Sequence, residues 1–117
     1  MAASSFDLRG KVAIVTGGNG GIGLGMARGL ANAGADIAVV GRNETKSAAA
    51  VADLSARGVR AIAVATDVTD KDAVAAMIAR VSGELGRIDV LINNAGMSIR
   101  KPPHILEADE WQQVIDT

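Results

Sequence analysis

The feature that most constrains this chain is a short apolar run that ends in a burst of glycine. Residues 12–23 read VAIVTGGNGGIG: an apolar, β-branched segment without a polar face, then five glycines within seven residues. Such a run belongs in a strand covered on both sides, the situation of a parallel sheet flanked by helices. The loop after it carries two glycine registers. Gly18, Gly20 and Gly23 spell G-x-G-x-x-G, whereas Gly17, Gly21 and Gly23 spell T-G-x-x-x-G-x-G behind Thr16. Both stand between a strand and a helix. There glycine lets the chain turn sharply, keeps side chains away from an approaching pyrophosphate and lets helix and sheet pack closely. The helix start then offers unpaired N–H groups and the positive end of its dipole to phosphate. A glycine-rich turn that binds nothing is the plain alternative.

The rest of the chain repeats this alternation. Residues 11–16 (KVAIVT), 36–40 (DIAVV), 60–65 (RAIAVA) and 88–93 (IDVLIN) read as strands buried on both faces. Between them, Ile22, Met26 and Leu30, then residues 48–54, then Val74, Met77, Ile78 and Val81 recur at helical spacing. Gly34 and Gly58 fall where helices should stop, and Asn43 and Thr69 where N-caps should start them. Parallel neighbours need a crossover, so this order predicts βαβ units. The expected fold is α/β, a Rossmann-type doubly wound parallel sheet forming one dinucleotide-binding unit over residues 1–117.

Composition narrows the function. With 49% hydrophobic and 21% charged residues in 117, the chain is too apolar for disorder. A net charge of −1 and the lack of a Lys/Arg block argue against nucleic acid as a partner. There is no cysteine, hence no disulfide framework and no thiolate metal site. The opening MAASSFDLRGK lacks the apolar core of a signal peptide, and the apolar runs are strand-length, so a cytoplasmic location without membrane contact is expected. One Trp and one Phe leave no platform for base stacking.

A second motif, NNAG at Asn93 to Gly96, follows the fourth strand directly. Together with TGGNGGIG, the opening LRGKVAIVTGG and the DV after the third strand, it makes the chain resemble the short-chain dehydrogenase/reductase family over nearly its whole length. The resemblance selects the register of Gly17, Gly21 and Gly23. It implies an oxidoreductase that transfers a hydride between NAD(P)(H) and a carbonyl or hydroxyl group of a small-molecule substrate. By position, Gly17, Asn19, Gly20, Gly21, Ile22 and Gly23 would line the pyrophosphate turn. Asp67 and Val68 would hold the adenine, the carboxylate accepting from its exocyclic amine, and Asn94, Ala95 and Gly96 would pass beneath the ribose.

Cofactor choice is read at the end of the second strand. NAD-preferring members of the resembled family place an acidic residue there, and this chain has Gly41 followed by Arg42. A guanidinium gives charge-assisted, fork-like hydrogen bonds to a 2′-phosphate, and the missing carboxylate removes a repulsion. NADP(H) is therefore favoured and NAD(H) stays open; a solvated arginine is the bland alternative. The position before Gly21, often basic in NADP-preferring members, is Gly20. The cluster of Asp67, Asp70 and Asp72 has the look of a metal site, but Thr69 with Asp72 resembles a capping box and no glycine turns a calcium loop, so no metal is expected.

Past NNAG, the segments IRKP and EW..VIDT are similar to the gluconate 5-dehydrogenase and tropinone reductase-like branch. Arg100 and Lys101 read as an attractor for a carboxylated substrate or as a solvated loop. His104 has no partner that would make it catalytic, and Trp111, Val114 and Ile115 share a helical face suited to core or interface. In the resembled family the helix beginning here builds much of a dimer contact, so the complete enzyme is expected to be a homo-oligomer, dimer or tetramer. That family's proton donor is the Tyr of Y-x-x-x-K, assisted by a Ser and an Asn. This chain has no tyrosine, and Ser98 comes too early to be that serine, so no catalytic residue is assigned. The expectation is a cofactor-binding N-terminal portion, truncated after the fourth strand and the start of the next helix and inactive alone. Its VLIN strand would then be an exposed, self-associating edge. A stand-alone nucleotide-binding or assembly module is the alternative.

Overall fold

The computed structural model describes residues 7–94 and 104–106. Its elements are β1 (Val12–Thr16), α1 (Gly21–Asn32), β2 (Asp36–Val40), α2 (Glu44–Ser55), β3 (Ala61–Val64), α3 (Lys71–Leu85), β4 (Val90–Asn93) and β5 (His104–Leu106). They build a sheet in the order β3-β2-β1-β4-β5, in which β1 to β4 are mutually parallel. This is the Rossmann-type arrangement expected from the alternating pattern. The chain runs outward from β1 through β2 to β3, then crosses back to place β4 on the other side of β1. That reversal creates a crevice outside the carboxyl ends of β1 and β4, where such sheets bind ligands. Register makes those ends flush: Thr16 pairs with Val40 on one side and Asn93 on the other, and Val40 pairs with Val64.

The period of two along each strand divides the core into two layers. Val12 and Ile14 of β1, Ala38 and Val40 of β2 and Leu91 of β4 face Val74, Met77, Val81 and Leu85 of α3. Ala13, Val15, Ile37, Val39 and Ile92 face Ala27 and Ala31 of α1 and Ala50 and Leu54 of α2. Every residue of β1 is buried. Each fully buried Val, Leu or Ile contributes about 1.5–3 kcal/mol, so the central strand anchors everything mounted at its end.

Three local expectations are corrected. The inward face of α1 is not Ile22, Met26 and Leu30: Gly23, Ala27 and Ala31 are buried, and Ile22 is 59% exposed. Small residues at i, i+4 and i+8 let α1 lie close to the sheet, with Leu24, Met26 and Leu30 packing along its flanks. The N-cap of α3 is Asp70 rather than Thr69. Asp70 Oδ1 accepts from the N–H groups of Asp72 and Ala73, while the Thr69 hydroxyl is committed to Asp67, so the Thr69–Asp72 capping box does not form. Finally, β4 is not a bare edge. β5 pairs with it antiparallel, Leu91 opposite Leu106 and Asn93 opposite His104, and meets backbone groups that an outer strand would leave open.

Other punctuation falls where expected. Asn43 caps α2 by accepting from the Lys46 N–H. Gly34, at φ +105°, turns the chain after α1, with the Gly34 N–H bonded to Ala31 O and the Ala35 N–H to Leu30 O.

Candidate functional site

The carboxyl ends of the strands carry the residues singled out in the sequence. Directly after β1, the Gly17 N–H donates to Val40 O at 2.8 Å, which keeps the turn against β2. The loop's glycines then divide by need. Gly17 and Gly21 have φ of +67° and +56°, conformations that side chains strain to adopt. Gly23 has an ordinary helical backbone, but a Cβ there would overlap the Gly17 carbonyl oxygen and come within 2.9 Å of Asn94 Nδ2. Gly20 is extended and has nothing within 4 Å of a Cβ. The glycines with a complete physical reason are thus Gly17, Gly21 and Gly23, the T-G-x-x-x-G-x-G register. A Cβ on Gly18 would also sit tightly, 2.9 Å from Val15 O.

Thr16 joins the two motifs. It is fully buried at the end of β1, its hydroxyl faces Asn93 Oδ1 at 3.1 Å and Ile92 O at 3.3 Å, and its oxygen accepts the Asn94 N–H at 2.7 Å. Asn94 is thereby held beside the glycine turn. Ala95 and Gly96, with Ser98, Arg100, Lys101, Trp111, Val114 and Ile115, lie outside the described residues.

A pocket of about 420 Å³ opens beside this turn, lined by Gly17, Asn19, Val40, Gly41, Arg42, Asn43, Lys46, Thr66, Asp67, Val68 and Thr69. It brings Gly17, Asn19, Arg42, Asp67 and Val68 together; Gly20, Gly21, Ile22 and Gly23, at the adjoining turn and start of α1, and Asn94, directly after β4, are not in its wall. Asp67 Oδ1 accepts from both the Thr69 hydroxyl at 2.6 Å and the Thr69 N–H at 2.9 Å. These bonds, aided by the charge of Arg42, hold the Asp67 carboxyl below its ordinary value, so it is an anionic acceptor at neutral pH. Val68 packs against the α3 layer of the core while lining the pocket. Among the described residues no group of three or more His, Asp or Glu side chains is arranged to hold a metal.

The electrostatics single out one residue. Arg9, Arg28, Arg57, Arg60, Arg80 and Arg87 each pair with a carboxylate. Arg42 is the one described arginine in no ion pair, and it stands at the pocket with Gly41, not a carboxylate, before it. Lys46, likewise in no ion pair among the described residues, lines the same pocket from the first turn of α2. Sequence reasoning passed over Lys46 and Thr66, and read Asn43 only as a helix cap and not as part of the pocket wall. The signal available was its spacing: with Asn43 as N-cap, Arg42 precedes the cap and Lys46 is the third helical residue, so one turn brings both cations to one end of α2.

Comparison with known proteins follows the same lines. The sequence model of the short chain dehydrogenases matches residues 11–117. Gluconate 5-dehydrogenase of Gluconobacter oxydans is 40% identical over 112 residues, covering 96% of this chain and 44% of that protein. Among solved structures, L-sorbose reductase from Gluconobacter frateurii, complexed with NADPH and L-sorbose, matches with a TM-score of 0.74 and 36% identity over 92% of this chain and 41% of that one. NAD+-bound xylitol dehydrogenase matches with a TM-score of 0.74 and 40% identity over 77% of this chain and 35% of that one. The chain thus spans less than half the length of these proteins. With the strand order and the T-G-x-x-x-G-x-G turn in place, the chain belongs to the short chain dehydrogenase family.

Proposed function

We propose that this chain is the NADP(H)-binding portion of an oxidoreductase that interconverts a carbonyl and a hydroxyl group on a small polyhydroxylated substrate. The observation that carries the cofactor assignment is the unpaired Arg42 guanidinium at the pocket, next to Lys46 and behind a glycine. Arg42 meets Asp67 through its charge and not through a salt bridge, so no hydrogen-bonded ion pair must be broken for the guanidinium to take a phosphate. Asp67 and Val68 fit the adenine: an oriented carboxylate facing its amine and an apolar side chain against its ring. Gly17, Asn19, Gly20, Gly21, Ile22 and Gly23 fit the pyrophosphate, the glycines leaving room and the start of α1 supplying N–H groups. Asn94, held by Thr16, fits the ribose on the nicotinamide side, and the family resemblance assigns Ala95 and Gly96 to the same contact. Bound there, the nicotinamide would supply or accept the hydride. The chain's residues bind and orient it.

Substrate class is read from the company the chain keeps, since its relatives are named for gluconate, sorbose and xylitol. Hydride transfer to a carbonyl also needs a proton donor, which contributes about 10²- to 10⁴-fold, and the 117 residues contain no tyrosine to serve as one. The isolated chain is therefore a cofactor binder without turnover, and a homo-oligomer is the form proposed for the whole enzyme. Calorimetric titration with NADPH and NADH, alongside an NADPH-oxidation assay over sugar acids, ketoses and polyols, tests both parts. Expected are tighter NADPH binding and no turnover above buffer. Equal affinities contradict the cofactor assignment; turnover contradicts the inactivity.

A further inference from the structure

Next to Asp67, the pocket wall holds a buried hydroxyl that the protein itself does not use. Thr66 lines the pocket, is 5% exposed and follows the end of β3 at Val64 by two residues. The other uncharged polar side chains of the wall are committed. The Asn19 amide donates to Ser47 Oγ at 3.2 Å, Asn43 Oδ1 accepts the Lys46 N–H at 3.0 Å, and the Thr69 hydroxyl donates to Asp67 Oδ1 at 2.6 Å. The Thr66 hydroxyl makes no hydrogen bond among the described residues. Yet no described side-chain nitrogen or oxygen sealed from solvent lacks a partner, so this oxygen is not sealed and opens on the pocket. A nearly buried hydroxyl without a partner costs the fold stability, and an acceptor on a ligand would offset that cost. Val40 and Val68 stand in the same wall and pack on the α3 layer of the core. Such apolar surroundings suit a flat ring and strengthen a hydrogen bond made within them.

We infer that Thr66 is a further binding residue of this site, its hydroxyl donating a hydrogen bond to a ring nitrogen of the cofactor's base. This rests on the pocket being the adenosine site of NADP(H). Adenine carries one exocyclic donor, the amine, which the Asp67 carboxylate suits as an acceptor. The other polar atoms on its edges are ring nitrogens, and all of them accept. A wall with one anionic acceptor and one uncommitted hydroxyl donor matches that pattern, and Thr66 and Asp67 are adjacent in the chain. The base is common to NADPH and NADH, so Thr66 holds both alike and takes no part in choosing between them. The hydroxyl serves the ligand at the expense of the empty fold.

The test compares Thr66→Val and Thr66→Ser with the parent in the full chain. Melting temperatures are measured without cofactor, and NADPH and NADH affinities by titration. Thr66→Val keeps the branched shape and removes the hydroxyl. It should leave the melting temperature of the cofactor-free chain unchanged or raise it, because no bond within the fold is lost. It should also weaken NADPH and NADH by the same factor, about threefold to tenfold, leaving their ratio as in the parent. Thr66→Ser keeps the donor and should hold both affinities within about twofold of the parent. A melting temperature lowered by several degrees in Thr66→Val would show that the hydroxyl is bonded within the fold and overturn the inference. Loss of NADPH affinity alone would place the hydroxyl on the 2′-phosphate, and affinities unchanged from a parent that binds would refute the base contact while sparing the reading of the pocket. A parent that binds neither cofactor would sink that reading and the base contact with it.

Discussion

The buried Thr16 hydroxyl accepts the Asn94 N–H at 2.7 Å, so the last residue of β1 fixes the first residue after β4. Two motifs 78 residues apart in sequence thereby become one surface at the switch point of the sheet. Replacing Thr16 with Val keeps the shape and leaves the Asn94 N–H without its acceptor. A loss of about 1–3 kcal/mol in urea denaturation is expected. Thr16→Ser should retain most of it, and equal stability of the Val and parent proteins would show that the link carries nothing.

The glycine turn offers a contrast between neighbours. Gly23→Ala puts a methyl into the Gly17 carbonyl, whereas Gly20→Ala meets open space in an extended backbone. Gly23→Ala should abolish cofactor binding and lower the melting temperature. Gly20→Ser should leave stability within about 0.5 kcal/mol of the parent, since Gly and Ser are both good N-caps. Comparable losses at both positions would contradict the assigned register.

The start of α3 separates two adjacent residues. Asp70→Ala removes the cap from Asp72 and Ala73 N–H and should cost about 1 kcal/mol in thermal unfolding. Thr69→Ala should leave α3 intact and instead loosen Asp67, weakening cofactor affinity. The reverse pattern would restore Thr69 as the cap.

Much of this fold was legible in the sequence because its signals are local. Runs such as VAIVT and VLIN without a polar face can only be covered strands, and Asn43 and Gly34 mark helix ends by chemistry that needs no tertiary partner. What was missed depends on partners distant in the chain. The inward stripe of α1 is Gly23, Ala27 and Ala31 because the helix must approach the sheet, and a hydrophobicity pattern favours the larger Ile22. In DVTDKD several side chains are competent caps, and only the bond from Thr69 to Asp67 decides that Asp70 serves. The Asn19–Ser47 contact spans 28 residues, and β5 is too short to show a period of two. Of the site, the glycines, Arg42 and Asp67 were legible as motif residues, whereas Lys46 resembled any solvated helix lysine until the pocket placed it beside Arg42.

Acid should act through carboxylates held below their ordinary values. Hydrogen bonds from Arg9 bring Asp7 down to about 2, and Thr69 with Arg42 lowers Asp67. Arg28 and Arg57 lower Asp53; at Asp89 burial opposes the shift, but Arg87 and the Val12 N–H win. A folded value below the unfolded one gives stability that is present above the unfolded value of about 3.9 and lost as pH falls through the folded value. Melting temperature should therefore change little between about pH 7 and 5 and fall below about pH 4. Loss that begins near neutrality would point to a different titrating group.

The most direct test of the central claim is the ratio of NADPH to NADH affinity in the parent and in Arg42→Ala. One charge-assisted phosphate contact is worth about 1.5–3 kcal/mol, or roughly tenfold to a hundredfold in affinity. The parent should prefer NADPH by at least about tenfold, and Arg42→Ala should bring the two affinities close together by weakening NADPH alone. An unchanged ratio in Arg42→Ala, or equal loss of both cofactors, would contradict the assignment of Arg42 to the 2′-phosphate.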